Sequence, residues 1–381
     1  MTEKVVIALN TAWNLVNFRS GLIRALVAAG YEVVAVAPND KYSDGLKTLG
    51  CRFVPLHMDN GGTNPLKDVL LLWQFLRLFA IERPDVFLGY TVKPNVYGSL
   101  ACRWLRIPVI NNIAGLGAAF ISGGMVMQIV RWLYRTALRR SAQIFFQNDD
   151  DRQLFVSGGL VTADKTALLP GSGIDLDRFV YTPMPATGND CAKFRFLLVA
   201  RMLRDKGVGE YVEAARLLRK HWPQVEFCLL GFLDVKNPAA ISRAEMDAWV
   251  AEGVVNYLGE SDDVRSQITA ATCVVLPSYR EGVPRSLLEA AAMGRPIITT
   301  DVVGCREVLD DGVNGLLCRP KDAADLAEKM ARMIAMPQSE LEAMGQRGRA
   351  KVEREFDEKI VIDKYLTAIK EVVKKNLLKC Q

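Results

Sequence analysis

The sequence predicts an α/β fold with two domains, each built on a doubly wound parallel sheet. Two observations support this prediction. Short apolar runs such as "KVVIALN" and "YEVVAVAP" alternate with amphipathic segments of helix length such as "RSGLIRALVAAG", which is the pattern of βαβ units. The chain also has 381 residues, half of them hydrophobic, which is enough for two buried cores.

The alternation is interrupted once, at "VYTPMPATGNDCAK", which is rich in Pro and Thr and has no periodicity. We therefore predict an N-terminal domain over 1–178, a linker over 179–192 and a C-terminal domain over 193–358, where a second series begins with "FRFLLVAR". The last amphipathic helix, about 360–381, either caps the second domain or crosses back to the first. Open parallel sheets bind ligands at the carboxyl ends of their strands, so two such domains facing across a cleft would share a site.

Composition excludes several classes of protein. The net charge of +5 is too small for a general nucleic-acid binder. The eight cysteines form no CxxC pair, which favours reduced thiols in a cytoplasmic protein. The start "MTEKVVIALN" lacks the basic and apolar regions of a signal peptide, and no apolar window is long enough to span a bilayer. Lying on a membrane surface stays open.

The segment "EGVPRSLLEAA" predicts a helix that begins at Pro284, because proline suits the first turn. Glu281 then lies in the entering loop and Glu289 inside the helix, while the amides of residues 282–286 form an end that attracts phosphate. Since phosphate repels carboxylates, both glutamates are better explained as acceptors for hydroxyls on either side of a diphosphate. A nucleotide sugar has such hydroxyls. The alternative is an ordinary helix with a surface Glu289.

The segment "VARMLRDKG" follows the first strand of the second series, at the end where this kind of sheet binds ligands. Arg201 and Lys206 would neutralise a diphosphate leaving group there, arginine through its fork and lysine as a point charge. Solvated loop cations are the alternative.

Together these motifs resemble the retaining glycosyltransferases of family 4, with the GT-B fold of two Rossmann-like domains facing across a cleft. The resemblance rests on the spacing of Glu281 and Glu289, on the Arg201 and Lys206 pair, and on "LPGSGIDLDRF", which is similar to the interdomain loop. It implies a nucleotide sugar held mainly by the second domain, an acceptor held by the first, and a last helix that crosses back.

The resemblance also implies roles for single residues. The residue matching Glu281 contacts the donor sugar, and the one matching Glu289 contacts the ribose. The catalytic set would be Arg201, Lys206 and Glu281, with the departing phosphate itself accepting the acceptor's proton. No cofactor, metal or separate base is then needed. The rest of the predicted donor site comprises Gly231, Gly282, Val283, Arg285 and Ser286.

In the first domain, "YTVKPNVYGS" and "NNIAGLG" are similar to a subgroup that extends bacterial undecaprenyl-diphosphate-linked saccharides of O-antigen, capsule and N-glycan assembly. This implies a UDP-sugar donor, with an N-acetylhexosamine such as GalNAc or GlcNAc, and a polyprenyl-diphosphate-linked acceptor. Many members have a histidine where this chain has Ala114, and neither His57 nor His221 replaces it. We expect the acceptor side to comprise Trp13, Asn14, Arg19, Lys93 and Asn112.

Arg131, Arg135 and Arg139 recur at four-residue intervals beside an apolar face in "GMVMQIVRWLYRTALRR". The pattern suits a helix lying on anionic lipid, and a core helix with a solvated basic face is the alternative. We expect a cytoplasmic protein that is peripheral at the inner face of the membrane and binds no nucleic acid.

Three other functions were weighed against glycosyl transfer. A nucleotide-sugar epimerase shares the two-domain architecture, but the basic apolar helix speaks against it. Nothing requires a non-catalytic sugar-nucleotide sensor, and a dehydrogenase is disfavoured because "LNTAWNLVNFRSG" replaces a GxGxxG loop. The acidic run "NDDDRQLF" suits the start of a helix rather than a metal site.

Overall fold

The computed structural model describes residues 2–59, 64–115, 124–185, 193–235 and 237–380, and side-chain positions within this part except 124–126 and 377–380. The chain forms two compact units, here called unit 1 and unit 2. Unit 1 runs to Ser172 and also contains the segment from Glu358 onward, and unit 2 is Gly173–Asp357. Each unit is a parallel sheet covered by helices, so the predicted fold class is confirmed.

The described part of unit 1 contains a parallel sheet in the order β3-β2-β1-β4-β5-β6-β7. Its strands are β1 Lys4–Ala8, β2 Glu32–Ala37, β3 Arg52–Pro55, β4 Val86–Tyr90, β5 Val109–Ile113, β6 Gln143–Phe146 and β7 Thr166–Leu168. Its first helices are α1 Ala12–Phe18, α2 Ser20–Ala28, α3 Ser43–Lys47, α4 Pro65–Glu82, α5 Ser99–Leu105, α6 Gly124–Leu138 and α7 Asp149–Ser157. The central strands β4 and β5 are buried along their whole length, as expected of parallel strands covered on both faces.

The described part of unit 2 contains a parallel sheet in the order β10-β9-β8-β11-β12-β13. Its strands are β8 Arg195–Val199, β9 Glu226–Leu230, β10 Asn256–Tyr257, β11 Cys273–Leu276, β12 Ile297–Thr300 and β13 Gly315–Cys318. Its helices are α8 Val208–Arg219, α9 Arg243–Ala251, α10 Arg265–Ala270, α11 Arg285–Ala292, α12 Ala323–Ala335 and α13 Gln338–Glu355.

The last helix, α14 Glu358–Cys380, belongs to unit 1. Its apolar face joins the unit 1 core, where the Tyr365 ring lies 5.1 Å from the ring of Phe145. The Tyr365 hydroxyl also accepts a hydrogen bond of 2.9 Å from Asn112 Nδ2. A buried hydrogen bond and ring packing therefore fix the end of the chain to the first sheet.

The boundary between the units differs from the sequence prediction. Unit 2 begins at Gly173, whereas we predicted a first domain to residue 178 and a linker over 179–192. Ile174 pairs with Asp357 in an isolated bridge within unit 2, and the Phe179 side chain is buried in the same core. The prediction was wrong here because these apolar residues are spaced too irregularly to signal a packed segment. Residues 186–192 lie outside the described part.

The strand orders position the functional loops. In unit 2 the order reverses between the neighbours β8 and β11, and in unit 1 it reverses between β1 and β4. Doubly wound sheets bind ligands just beyond the carboxyl ends of the strands at such a reversal. The loops after β8 and β11 carry the two motifs predicted for the donor site.

Candidate active site

The loops after β8 and β11 meet in an ion pair. Lys206 Nζ lies 2.6 Å from Glu281 Oε1, and the two side chains are only 15% and 16% exposed. The sequence analysis proposed both residues for one site, and the structure brings them together within unit 2. Their direct pairing was not foreseen, because the residues are 75 positions apart in the chain.

Two glycines allow the loops to approach this closely. Gly207 has a φ of +72°, and a Cβ added there would lie 2.1 Å from the carbonyl oxygen of Pro277. Gly231, at the end of β9, has a φ of +144°, and its Cβ would lie 1.8 Å from the carbonyl oxygen of Ala200. Both distances are far inside van der Waals contact, so only glycine fits at either position. Gly231, which we predicted as a donor ligand, thus has a clear structural role in shaping the loop after β8.

The backbone around Glu281 is fixed by residues that the sequence analysis missed. The Glu281 N–H donates to the Val303 carbonyl at 3.0 Å, and the Thr300 hydroxyl donates to the Ser278 carbonyl. The Tyr279 N–H donates to the carbonyl of Asp205 at 2.9 Å. The sequence does give one indication of this role for Thr300, because it is a polar residue at the end of the apolar strand "PIITT". These bonds fix the backbone of the loop that carries Glu281.

Helix α11 begins at Arg285, one residue later than predicted, with Pro284 in the N-cap position. Pro284 has no side-chain group that could cap this end, and the first-turn amides of a helix point out of its N-terminus. Ser286 lies in this first turn. The end therefore keeps the partial positive charge that favours an anion.

Glu289 is largely buried, and its interpretation as an ordinary surface glutamate is wrong. Its side chain is 12% exposed, and its Oε1 lies 3.0 Å from Arg285 Nε. Burial raises the pKa of Glu289, although the neighbouring Arg285 acts in the opposite direction. Arg285 is therefore engaged by Glu289 in this structure, rather than pointing freely toward a donor.

Arg201, in the loop after β8, is exposed. Within the described residues it forms no ion pair, in contrast to Lys206. The loop after β8 thus carries one paired cation, Lys206, and one exposed cation, Arg201, and the loop after β11 leads into the start of α11. This arrangement can bind and stabilise a diphosphate.

Two predicted acceptor-side residues have other partners in unit 1. Lys93 Nζ lies 2.9 Å from Asp68 Oδ1, and both side chains are largely buried, so its charge is neutralised within the unit. Asn112 is buried in β5, where it donates to Tyr365 and its backbone carbonyl accepts a hydrogen bond from Asn95. The prediction for Asn112 is corrected, because its side chain is buried and hydrogen-bonded inside the unit instead of facing an acceptor. The prediction for Lys93 stays a prediction, since Lys206 forms a similar ion pair with Glu281.

The other three acceptor-side residues lie on or next to α1, beyond the carboxyl end of β1. Trp13 is half-buried, and its backbone N–H donates to Asp40 Oδ2 at 3.1 Å. Asn14 Nδ2 donates to Asn10 Oδ1 at 3.0 Å. Arg19 is buried, with its guanidinium 4.5 Å from the centre of the Tyr90 ring.

The basic helix predicted for the membrane is α6. Arg131 points inward, and its NH2 lies 3.5 Å from the Gly158 carbonyl, whereas Arg135 and Arg139 are exposed. The predicted three-arginine stripe is therefore reduced to two, because one guanidinium caps a backbone carbonyl. In the described part of the chain, no helix is both long and apolar enough to cross a bilayer.

The acidic run 149–151 opens α7, with Asn148 as its cap. The Asn148 side chain accepts a hydrogen bond of 2.8 Å from the Asp151 N–H, and Asp149 lies beside Arg152. Across the residues that the structure describes, no three His, Cys, Asp or Glu side chains cluster in a way that suits a metal ion.

Family comparisons match most of both units. The family described as "Glycosyl transferase 4-like domain" matches residues 17–171, and "Glycosyl transferases group 1" matches residues 193–336. The candidate site in unit 2 lies inside the second match.

Three known proteins show the extent of the similarity. A Campylobacter jejuni N,N'-diacetylbacillosaminyl-diphospho-undecaprenol alpha-1,3-N-acetylgalactosaminyltransferase is 29% identical and covers 95% of this chain and 96% of its own length. An Escherichia coli UDP-Gal:alpha-D-GlcNAc-diphosphoundecaprenol alpha-1,3-galactosyltransferase is 22% identical, covering 70% of this chain and 71% of its own. The crystal structure of Anabaena HepE with UDP and glucose has a TM-score of 0.76 at 18% identity and covers 97% of this chain and 100% of its own.

The comparisons give the epimerase alternative no support, and the predicted transferase class is confirmed. The structural relative shares the fold over nearly the whole chain. With a family match in each unit, the protein belongs to the glycosyltransferases of group 1, with the 4-like domain in unit 1.

Proposed function

We propose that the protein is a retaining glycosyltransferase that moves a sugar from a UDP-sugar to a polyprenyl-diphosphate-linked saccharide. The observation that carries the proposal is the meeting of the loops after β8 and β11, which joins Lys206 to Glu281 just before the start of α11. Unit 2 then binds the donor and unit 1 the acceptor.

The diphosphate binds where positive charge is concentrated, near Arg201, Lys206 and the first-turn amides of α11. Lys206 is paired with Glu281. A diphosphate carries more negative charge than one carboxylate, so it competes for Lys206 and frees the carboxylate to accept hydrogen bonds from the donor sugar hydroxyls. Gly282, Val283 and Ser286 supply the backbone and hydroxyl groups next to the phosphates.

Glu289 is proposed to bind the ribose hydroxyls. Its buried position beside Arg285 gives a fixed acceptor, and a hydroxyl pair bound there replaces part of the water that the carboxylate has lost. Arg285 keeps Glu289 oriented, so we assign it to positioning rather than to direct contact with phosphate.

Transfer proceeds with charge developing on the departing diphosphate. Arg201 and Lys206 stabilise that charge, and the leaving phosphate oxygen takes the proton of the attacking acceptor hydroxyl. Glu281 holds the sugar in the orientation needed for reaction on the same face as the leaving group. This scheme uses no cofactor and no metal.

The acceptor assignment draws on the relatives. The names of the C. jejuni and E. coli proteins specify undecaprenyl-diphosphate-linked substrates, and the first specifies transfer of N-acetylgalactosamine. We therefore propose an N-acetylhexosamine donor such as UDP-GalNAc or UDP-GlcNAc and a role in bacterial surface glycan or N-glycan assembly. Trp13 and Asn14, beyond the carboxyl end of β1, and Lys93 are the candidates for contact with the acceptor.

A lipid-linked acceptor requires contact with the membrane, and we propose peripheral contact at its cytoplasmic face. Unit 1 exposes apolar side chains on α4, including Leu66, Val69 and Trp73, together with Arg135 and Arg139 on α6. Apolar and basic side chains on one unit suit an anionic bilayer surface.

The proposal is tested by incubating the protein with a panel of UDP-sugars and a short prenyl-diphosphate-linked saccharide, and identifying the product by mass and anomeric configuration. We expect one UDP-N-acetylhexosamine to extend the acceptor by a single sugar with retention. Lys206→Ala should abolish most of this transfer. Release of free sugar from the donor at the same rate with and without acceptor would refute the transferase assignment.

A further inference from the structure

Unit 1 contains a strongly basic depression that the glycosyl-transfer reaction does not use. It is a cavity of about 600 Å³ beside α6, here called the basic recess. Its cationic lining residues are Arg103 of α5, Arg135 and Arg139 of α6, and Lys165 just before β7, and its other lining residues are uncharged.

A second cavity, of about 400 Å³, continues from the basic recess and shares Arg103 and Lys165 with it. It adds Arg106, Arg140 and the Lys375 of α14, and the acidic residue in its lining is Glu371. Together the two cavities are lined by seven cationic side chains and one acidic side chain, all along one edge of unit 1.

Within the described part of the chain, the cations of the basic recess are left without a neutralising carboxylate. Among the described residues, none of Arg103, Arg135 and Arg139 forms an ion pair, and Lys165 Nζ donates to the Arg139 carbonyl at 3.0 Å. Elsewhere in unit 1 comparable cations are paired, as Lys93 is with Asp68. Like charges gathered without counter-charges repel one another, so their grouping indicates an anionic ligand.

The recess lies at the opposite edge of the unit 1 sheet from the carboxyl ends of the strands, where a substrate is expected. Lys165 directly precedes β7, and Arg140 to Ala142 directly precede β6, so both cavities are at the amino ends of the strands. Parallel strands of four or five residues separate the two edges of a sheet by roughly 13–17 Å. The anion bound there is therefore not the diphosphate at the reacting end of the acceptor.

Two tryptophans identify the source of the anion. Trp132 lines the recess and is 64% exposed, and Trp104, which follows Arg103 in the sequence, is 63% exposed. Exposed tryptophans concentrate at the level of lipid headgroups, where the ring is in an apolar layer and the N–H meets water. A soluble phosphate would not require such neighbours.

We propose that the basic recess binds the phosphate of an anionic phospholipid headgroup, with Trp104 and Trp132 inserted at the membrane interface. The proposal rests on the membrane contact described above and adds a specific lipid site to it. It makes the recess, rather than the general apolar surface of α4, responsible for selecting anionic membranes.

The test is co-sedimentation of the full chain with phosphatidylcholine vesicles, with and without phosphatidylglycerol. We expect tight binding only when phosphatidylglycerol is present, and Arg135→Gln combined with Arg139→Gln should weaken it at least tenfold. Both arginines are exposed, so these changes should leave the fold intact, which circular dichroism checks. Trp132→Ala should weaken vesicle binding as well.

The matched control removes the same charge from unit 2, through Lys220→Gln combined with Arg332→Gln, both exposed and outside any ion pair in the described residues. We expect less than a twofold change. Equal weakening by both double variants would overturn the proposal, because net charge alone would then explain binding.

The soluble alternative is tested by adding glycerol phosphate or inorganic phosphate. If either displaces the protein from vesicles at micromolar concentration, the recess is a site for free phosphate and the proposal is wrong. Binding to phosphatidylcholine alone would also overturn it while leaving the broader membrane contact intact. Absence of binding to any vesicle would refute both, and the transfer assay with dispersed acceptor would still test the enzyme function by itself.

Discussion

Replacing Glu281 by glutamine should separate nucleotide binding from catalysis. Glu281→Gln removes the negative charge but keeps an acceptor of the same shape. In the proposed site UDP must displace Glu281 from Lys206, so the variant should bind UDP more tightly. It should also transfer sugar poorly, because a charged acceptor for the donor hydroxyls is lost.

The size of the effect follows from the geometry of the pair. At a separation of 2.6 Å and an effective dielectric constant of about 20, the gross attraction is about 6 kcal/mol. Desolvation of the two largely buried groups cancels most of this, leaving a net value of about 1–2 kcal/mol. Removing that competition corresponds to roughly 5- to 30-fold tighter UDP binding. Loss of one charged contact to the reacting sugar should lower kcat by about 100-fold or more.

Titration calorimetry with UDP and product analysis by mass measure the two quantities on the same preparations. Glu252→Gln is the matched control, because Glu252 pairs with Arg216 on the surface of unit 2 and should leave both quantities unchanged. Lys206→Ala should weaken UDP binding and transfer together. Weaker UDP binding in Glu281→Gln, or undiminished transfer, would refute the reasoning.

Three further predictions concern stability. Gly207→Ala should lower the free energy of unfolding of unit 2 by more than about 2 kcal/mol, because the new methyl meets the Pro277 carbonyl, and denaturant melts measure it. Glu82→Gln should cost about 1.5–3 kcal/mol at neutral pH, since Glu82 accepts a bond of 2.9 Å from Arg52. Tyr365→Phe should lower protection of α14 from hydrogen exchange, at a cost of about 1–3 kcal/mol, because Asn112 loses its buried acceptor.

Each of these has a control or a contradicting result. Gly209→Ala is the control for Gly207→Ala, because a Cβ at Gly209 in α8 would meet open space. This change should be neutral or slightly stabilising. Arg52 lowers the pKa of Glu82 below its ordinary value of 4.5, so its contribution is complete above pH 4.5 and is lost as the pH falls through the lowered value. If Glu82→Gln changes the free energy of unfolding by the same amount at every pH, that prediction is contradicted. Unchanged hydrogen exchange of α14 in Tyr365→Phe would contradict the prediction for Tyr365.

The general fold could be predicted because it depends on local patterns. The apolar runs at β1, β4 and β8 and the periodic helices between them are readable within short windows, and so is the helix start at "VPRSLL". The predicted domain boundary was wrong because Ile174 and Phe179 pack in the core of unit 2 without any periodic spacing in the sequence. Packing of irregular segments depends on distant residues, which a local pattern does not contain.

The candidate site shows the same division. The residue types of Lys206 and Glu281 and their positions after strands could be predicted, since ligand groups collect at the carboxyl ends of parallel strands. The partners of Lys93 and Asn112 could not, because Asp68 and Tyr365 come from distant parts of the chain. A lysine in a loop after a strand has the same local sequence whether it meets a ligand or an internal carboxylate.

The pairing of Lys206 with Glu281 also explains how a site for a highly charged donor stays folded without it. Two loops that carry Arg201, Lys206 and the positive start of α11 would repel one another if no anion were present. Glu281 supplies that anion from within the protein, at 2.6 Å from Lys206, and the loop glycines hold it there. In the proposed reaction the diphosphate replaces one counter-charge with a stronger one, and the released carboxylate becomes available to the sugar. We therefore propose that binding of the leaving group and orientation of the sugar are coupled through a single lysine.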